Sequence, residues 1–384
     1  MKDPTRNRRK TLMLTLTHEC NLSCRYCYEV NKSRSVMPVS VARNTIEKHF
    51  KNSEAFDEIE ISFHGGEPLL QFDTIRSLCE WMWSQSWSKP FIIYATTNGT
   101  LAHGEIQNWA ARNKDRFCLG LSLDGTEEMH NTNRSNSFNR IDLKFFQKTW
   151  PEQAVKMTVS DLTLPNVAEG IIYLHQLGFK IEGGFAYGLD WSSKKTLEIL
   201  AAQLEKLADY YLLNPAITPC SFINMELSVV GMMGSPEGED LAMSEERHSK
   251  KWCGIGTELF AVDVDGTEYP CHLFLPFASG RKTPAFANFD FSDLGQLLDT
   301  RCEDCVIHPI CPTCYASNLL ETGSPATRNS SFCTLHKLRA LASSNMQARM
   351  ILRRSEFSKF NQMEPDELLL TIMGIESIQS SIRL

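Results

Sequence analysis

The sequence predicts an α/β chain: a partial (β/α)6 TIM-like barrel followed by a cysteine-rich module folded around metal. Three observations carry that expectation. From residue 11 to about 215, short apolar runs alternate with amphipathic stretches; the first run leads straight into three closely spaced cysteines; and seven more cysteines crowd residues 253 to 333. Alternating units of this kind build a parallel sheet with helices outside it. Six of them make an open barrel, two short of a closed eight-fold one.

Residues 1 to 10 form a basic segment with Arg6, Arg8, Arg9 and Lys10. The apolar stretch behind it is too short for a secretory signal, so the segment reads as a solvated, frayed end. The barrel is expected over 11 to 215, with strands at Met13 to Leu16, Ile59 to Phe63, Phe91 to Thr96, Cys118 to Leu123, Val155 to Val159 and Lys180 to Tyr187. Helices are expected at Val39 to Phe50, Thr74 to Gln85, Gly104 to Arg112 and Asn166 to Leu177. Trp81, Trp83 and Trp87 should pack a helix on the barrel, and Cys79 and Cys118 read as core thiols. An amphipathic helix, Thr196 to Leu213, should cover the last strand. A bridge (216 to 252), the cysteine module (253 to 334) and a C-terminal segment (335 to 384) follow; the last has a helix over Leu335 to Arg353 and then a weakly patterned tail.

Composition narrows the class. With 384 residues, 42% of them hydrophobic, the chain is too large and core-rich for its 13 cysteines to be a disulfide scaffold. They suit an enzyme kept reduced in the cytoplasm. No stretch approaches the roughly 20 apolar residues that span a bilayer, so no membrane is expected. A net charge of -7 and a pI near 5.9 argue against nucleic acid as a partner.

The chemistry begins at Cys20-Asn21-Leu22-Ser23-Cys24-Arg25-Tyr26-Cys27, a CxxxCxxC spacing just after the first strand. Ligands of such sheets bind at the carboxyl ends of the strands. Four-iron clusters normally take four cysteines, so three leave one iron open to a small molecule. Zinc fits less well, since no fourth protein ligand stands nearby. The second strand ends in His64-Gly65-Gly66-Glu67-Pro68, where glycines admit close approach and the glutamate can meet an ammonium group. The third ends in Thr97-Asn98-Gly99-Thr100 and the fourth in Ser122-Leu123-Asp124-Gly125-Thr126. Each alone reads as a turn or helix cap; together they point to one ligand.

With these motifs the chain resembles the radical S-adenosylmethionine enzymes. The resemblance rests on CxxxCxxC with Tyr26 before the third cysteine, GGEP at 65 to 68, TTNGT at 96 to 100 and SLDGTEEMHNTNR at 122 to 134. It implies that Cys20, Cys24 and Cys27 hold a [4Fe-4S] cluster and that S-adenosyl-L-methionine chelates the open iron. One electron then cleaves the cofactor to a 5'-deoxyadenosyl radical. It also implies that Gly65, Gly66 and Glu67 face the cofactor's amino group, Ser122 and Arg134 its ribose or carboxylate, and Tyr26 its adenine. A zwitterionic ligand needs such anionic and cationic partners and an aromatic shelf.

The second cysteine field comprises Cys253, Cys271, Cys302, Cys305, Cys311, Cys314 and Cys333. Metal would supply the folding energy that its few apolar residues cannot. Paired CxxC alone fits zinc as well as iron-sulfur; the first motif favours iron-sulfur. From Gly266-Thr267-Glu268-Tyr269-Pro270-Cys271 and the group Cys302 to Cys314 closed by Cys333, the region is similar to the SPASM extension of radical enzymes acting on peptides. That resemblance implies two auxiliary [4Fe-4S] clusters, three in all: an outer one on Cys302, Cys305, Cys311 and Cys333 and an inner one on Cys253, Cys271 and Cys314. Here only two residues separate Cys311 and Cys314, where the family usually has three, and no cysteine stands just before Cys253. The inner cluster's fourth position is therefore open, or filled by Cys220 or His248.

The resemblance implies an oxidoreductase that abstracts a hydrogen from a residue of a ribosomally made precursor peptide. The expected product is an intramolecular cross-link, either a carbon-carbon cyclophane or a thioether, because ring closure must discharge one more electron and auxiliary clusters can accept it. Alternatives are formylglycine formation as in anaerobic sulfatase maturases, and epimerisation, for which Cys220 is the one loop thiol available as hydrogen donor. Where sulfatase-maturing relatives keep an aspartate base, this chain has His272, the candidate catalytic residue. A reducing partner such as flavodoxin or ferredoxin is expected. A plain iron-sulfur electron carrier would not need these strand-end motifs. The short segment before Cys20 leaves peptide-leader recognition to another surface, such as a strand edge.

Overall fold

The computed structural model describes residues 8–233, 253–279, 289–293 and 295–383. The chain divides into two compact units, the first made of Met1–Leu123, His130–Lys156 and Cys253–Pro284, the second of Asp124–Met129, Met157–Trp252 and Ala285–Leu384. His248, one of the expected ligands, lies outside the described residues.

The first unit is built on strands β1 (Arg9–Thr17), β2 (Glu58–Gly65), β3 (Phe91–Thr97) and β4 (Phe117–Leu121), all parallel and hydrogen-bonded in the order β4-β3-β2-β1. Side chains alternate between the faces of a strand, and the register aligns Leu12 and Leu14 with Ile61 and Phe63, and these with Ile93 and Ala95. That face is buried throughout. Helices α1 (Val39–Lys51), α2 (Phe72–Ser84) and α3 (Gly104–Arg112) belong to the same unit, joined by an aromatic seam in which Phe50 meets Trp87, Trp87 meets Trp81, and Trp83 stacks on Trp109. The opposite face carries Met13, Thr15, Ser62, His64 and Tyr94, the polar face that bears the site.

Strands β5 (Val155–Val159) and β6 (Ile181–Phe185) form where the sequence places them, but they pair with each other in a separate two-stranded ladder. The link to β4 is one bridge, Ser122 to Lys156. A strand with no counterpart among the sequence expectations, β7 (Leu259–Val262), extends the main sheet by pairing parallel to β1, and β8 (Glu268–Tyr269) turns back antiparallel on it, completing six strands. The segment around Cys271 is thereby tied to the sheet that carries the first cysteine loop.

In the second unit, helix Lys194–Leu213 starts at the Ser193 cap, whose hydroxyl accepts from Thr196 N. It meets helix Val167–Gln176 through Gln203, which accepts from Ala168 N, and helix Ser330–Leu352 through Arg349, which reaches both Glu205 and Asp209. The C-terminal tail expectation is corrected: Pro365–Ser381 is a 17-residue helix. Its Ile375 and Ile378 join Met225, Leu227, Val230, Ile307 and Ile310 in a buried core, against which Cys305 and Cys311 pack. The pattern was weak because Thr371 and Gly374 sit on the buried face. Gly374 belongs there for close approach, since a Cβ would stand 2.0 Å from Leu227 O. Among the described residues no helix is long and apolar enough to cross a membrane.

Candidate functional site

The loop after β1 is held from three sides within the first unit. Asn21 donates to Thr100 Oγ1 and accepts from Asn98 Nδ2, both at 2.8 Å. Ser23 N donates to Ser135 Oγ, and Arg25 N to Asn133 O. Beneath it, Gly66 N donates to Thr17 O and Glu67 N to Glu19 O, each at 2.9 Å. The two glycines thus serve a close approach, with the cysteine loop's own backbone as the partner. A Cβ on Gly66 would stand 2.2 Å from Glu19 O and 2.9 Å from Cys20 Cβ; one on Gly65, whose φ is +138°, would stand 2.2 Å from Thr17 O.

No disulfide links any of the 13 cysteines. Burial pushes the Cys20 and Cys27 thiols up. Lys32 lies within electrostatic reach of Cys20, Cys24 and Cys27 together; burial works against its charge, but the three thiols and Glu29 push its pKa up. Its Nζ also donates to Leu22 O. Three thiols around one cation in a pinned loop suit a bound metal centre, which would exchange their protons for iron. Among the described residues no three Cys, His, Asp or Glu side chains are arranged to hold a single metal ion. A cluster asks for something else, since its ligands are spread over four irons.

The residues expected to hold the cofactor come together in this unit. Glu67 is 1% exposed. Its carboxylate accepts from Leu69 N, Thr97 Oγ1 and Asn98 N at 3.1, 2.7 and 2.8 Å. Burial still raises its pKa to about 7, against those hydrogen bonds and the charge of Arg134. The carboxylate therefore ties β2 to β3 whatever else it meets. Arg134, also buried, places its guanidinium 5.4 Å from the centre of the Tyr26 ring. Ser122 donates its amide to Thr97 O, closing the chain of contacts from Ser122 through Thr97 to Glu67.

His272 sits in a buried polar group. Its ring centroid is 5.0 Å from that of His64 and 5.5 Å from that of Tyr28, whose hydroxyl lies 3.4 Å from His64 Nε2. Burial lowers the pKa of His272 to about 4, with the charge of Lys156 adding to the effect. His64 is also driven well below its ordinary value, by burial first and then by His272 and Lys156. The Nδ1 atoms of both rings are buried without a hydrogen-bond partner. Two neutral imidazoles can accept a proton here. Sequence reasoning missed His64, Tyr28, Lys156 and Glu29. Glu29 is 6% exposed, and burial raises its pKa to about 8. Alternation along β2 places His64 on the polar face; Glu29 gave no signal, being a charged residue in an irregular loop.

His18 is a further unforeseen strut. Its Nε2 lies 2.6 Å from Asp263 Oδ1, just past β7, and its ring stacks on Phe277 at 4.3 Å. Cys253 and Cys271 belong to this first unit and Cys314 to the second. Cys314 caps helix Tyr315–Thr322, its sulfur accepting from Ser317 N at 3.4 Å. Cys302, Cys305, Cys311 and Cys333 stand together in the second unit: Cys302 and Cys305 each act electrostatically on Cys311 and Cys333, and Cys333 on Cys311. Cys333 lies in the first turn of helix Ser330–Leu352, which the Asn329 cap starts earlier than expected. Cys220 is buried, with Tyr211 and Arg339 as its neighbours.

Comparison with known proteins places these features beside similar chains. Residues 9–139 match the 4Fe-4S single cluster domain. An uncharacterized protein of Methanocaldococcus jannaschii is 30% identical over 179 residues, 44% of this chain and 60% of that protein, so the chain spans less than two thirds of that relative's length. A cysteine-type anaerobic sulfatase-maturating enzyme of Clostridium novyi is 22% identical over 373 residues, 85% of this chain and 92% of the enzyme. The fold is that of anSMEcpe solved with AdoMet and the Cp18Cys peptide, with TM-score 0.67 and 19% identity over 90% of this chain and 99% of that one. Streptococcus suis SuiB bound to precursor peptide SuiA is also similar, with TM-score 0.54 and 17% identity over 85% of this chain and 76% of that one. The chain thus shares a 4Fe-4S single cluster domain over its first third, has homologues among the anaerobic sulfatase-maturating enzymes, and has the fold of anSMEcpe and SuiB.

Proposed function

We propose that the protein is a radical S-adenosylmethionine maturase that abstracts a hydrogen from a residue of a ribosomally made precursor peptide and closes an intramolecular carbon-carbon or thioether cross-link. The observation that carries this reading is the neutral His64–His272–Tyr28 group in the same unit as the pinned cysteine loop and the Tyr26, Glu67 and Arg134 constellation. Cys20, Cys24 and Cys27 would hold the first cluster. Cys302, Cys305, Cys311 and Cys333 would hold the outer auxiliary one, and Cys253, Cys271 and Cys314 the inner one. The burial of Cys220 against Tyr211 favours an open fourth position on the inner cluster.

When bound, the first cluster and S-adenosylmethionine would supply the 5'-deoxyadenosyl radical, and the auxiliary clusters an electron acceptor. The chain's own residues do the rest. Arg134 and Tyr26 offer a cation and an aromatic face to the cofactor. His272 or His64 accepts the proton released when a substrate radical joins a C–H or S–H partner, a closure that sheds one proton and one electron. Formylglycine formation also needs a base, and the similarity to the C. novyi enzyme keeps it as the second reading. A flavodoxin- or ferredoxin-type reductant supplies the first electron.

The test is anaerobic incubation of reconstituted protein with S-adenosylmethionine, a reductant and each short peptide found encoded near its gene, read by high-resolution mass spectrometry. Loss of two hydrogens from the peptide is the expected result, with fragmentation locating the linked residues. Absence of 5'-deoxyadenosine under every reducing condition would sink the enzyme reading. Deuterium uptake at unchanged bond count would turn it to epimerisation.

A further inference from the structure

Arg328 is 5% exposed, yet among the described residues no carboxylate pairs with its guanidinium. The carboxylate of Asp299 already receives Arg301 Nε and Nη2 together with the backbone N–H of Arg328. The guanidinium itself donates to Ala326 O at 3.4 Å and stands 5.2 Å from the centre of the Tyr315 ring; Asp299 ties Arg328 to the cysteine group, accepting from Arg328 N on its carboxylate and from Cys302 N on its carbonyl, and the charge of Arg328 reaches Cys302 and Cys311. A second buried guanidinium, Arg339, donates to Phe222 O and Ser221 O, meets His336 Nδ1, has no carboxylate partner among the described residues, and acts on Cys311. Burying unpaired cations is costly. Four thiols beside two such cations call for a resident anion, and an oxidised four-iron cluster on four thiolates is doubly negative.

We propose that Arg328 is a positioning and tuning residue for the outer centre: by holding a buried guanidinium without a carboxylate of its own beside Cys302 and Cys311, it raises the reduction potential of a cluster held by Cys302, Cys305, Cys311 and Cys333. The inference rests on the outer-cluster assignment made above. Nearby positive charge favours the reduced, more negative state. Replacing Arg328 therefore shifts that potential downward, while the charge-retaining lysine recovers part of the shift because it lacks the planar fork.

The experiment is an EPR-monitored redox titration of the reconstituted full-length protein, wild type against Arg328→Gln and Arg328→Lys, with iron content measured in parallel. One midpoint moving downward in Arg328→Gln and part-way in Arg328→Lys, with the others unmoved, is the expected result. Midpoints equal to wild type at full iron content would overturn the proposal. If Arg328→Gln fails to hold its iron, Arg328→Lys decides alone: a wild-type midpoint overturns the tuning role, a lowered one supports it. Cys305→Ser separates the two layers: if it keeps full iron content and every EPR signal, the outer-cluster assignment itself falls.

Discussion

Around Cys20, Cys24 and Cys27 one cation, Lys32, stands with the carboxyls of Glu29 and Glu67, which burial pushes toward their neutral form, whereas around Cys302, Cys305, Cys311 and Cys333 the buried guanidinium groups of Arg328 and Arg339 outnumber the one buried carboxylate among the described residues there, Asp299. Under the ligand sets proposed above, the difference would follow from how many ligands each centre has. A three-thiolate centre would be completed by a second molecule, and a zwitterionic cofactor is met by a cation and by carboxyls that can ionise against its ammonium group. A four-thiolate centre is closed, so its surroundings need only balance an anion. The backbone follows suit: the first loop hangs from strand ends by Asn21, Ser23 and Arg25, while Cys305 and Cys311 rest on an apolar core.

The largest effect should come from breaking one centre at a time. Cys24→Ser should remove about four irons per chain and reduce 5'-deoxyadenosine formation to the level of a no-enzyme control. Cys305→Ser should also remove about four irons yet still permit cofactor cleavage, losing peptide modification instead. Iron assay and chromatography of the nucleoside check both. Equal loss of 5'-deoxyadenosine in the two variants would erase the functional distinction between open and closed centres.

A middling effect is expected at the loop's support. In Gly66→Ala the new methyl meets Glu19 O and Cys20 Cβ, backbone and loop atoms that cannot swing aside. Overpacking of this sort costs roughly 1–3 kcal/mol, and here it also displaces the first ligand. Thermal melting should fall by several degrees and the first cluster should assemble poorly, while the closed centre keeps its EPR signal. A variant that melts lower but assembles both centres normally would show that the glycines serve folding alone.

Much of the candidate site after β1 was legible in the sequence because strand-end motifs are local. Cysteine spacing, Gly65-Gly66 and the small polar residues after β3 and β4 announce themselves within a few residues of each other. The two-histidine group was not legible as a group, since it joins His64 on β2 to His272, and nothing in either neighbourhood points to the other. β7 was missed because four residues carry too little alternation to read as a strand, and its place beside β1 is a long-range choice. Likewise the C-terminal helix buries Thr371 and Gly374 in its apolar stripe, which blurs the period that would have revealed it.

The smallest and sharpest test concerns Glu67, which links the strand ends by accepting three hydrogen bonds. Its folded pKa, about 7, lies above the ordinary carboxyl value of 4.5 because burial penalises the charge. A group shifted in this direction binds more protons in the folded state between those two values, so its contribution falls as pH rises through that window and is lowest above it. Glu67→Gln cannot ionise. It should therefore lack this slope, while presenting an amide to at least one of the three donors at a cost of roughly 1–3 kcal/mol. Melting curves from about pH 5.5 to 8 should thus converge, the wild type losing stability faster than the variant as pH rises. Parallel curves would mean that Glu67 is already ionised at the lower end, with Arg134 and the three donors outweighing burial; the mixed charge of the first centre would then be a fixed salt link.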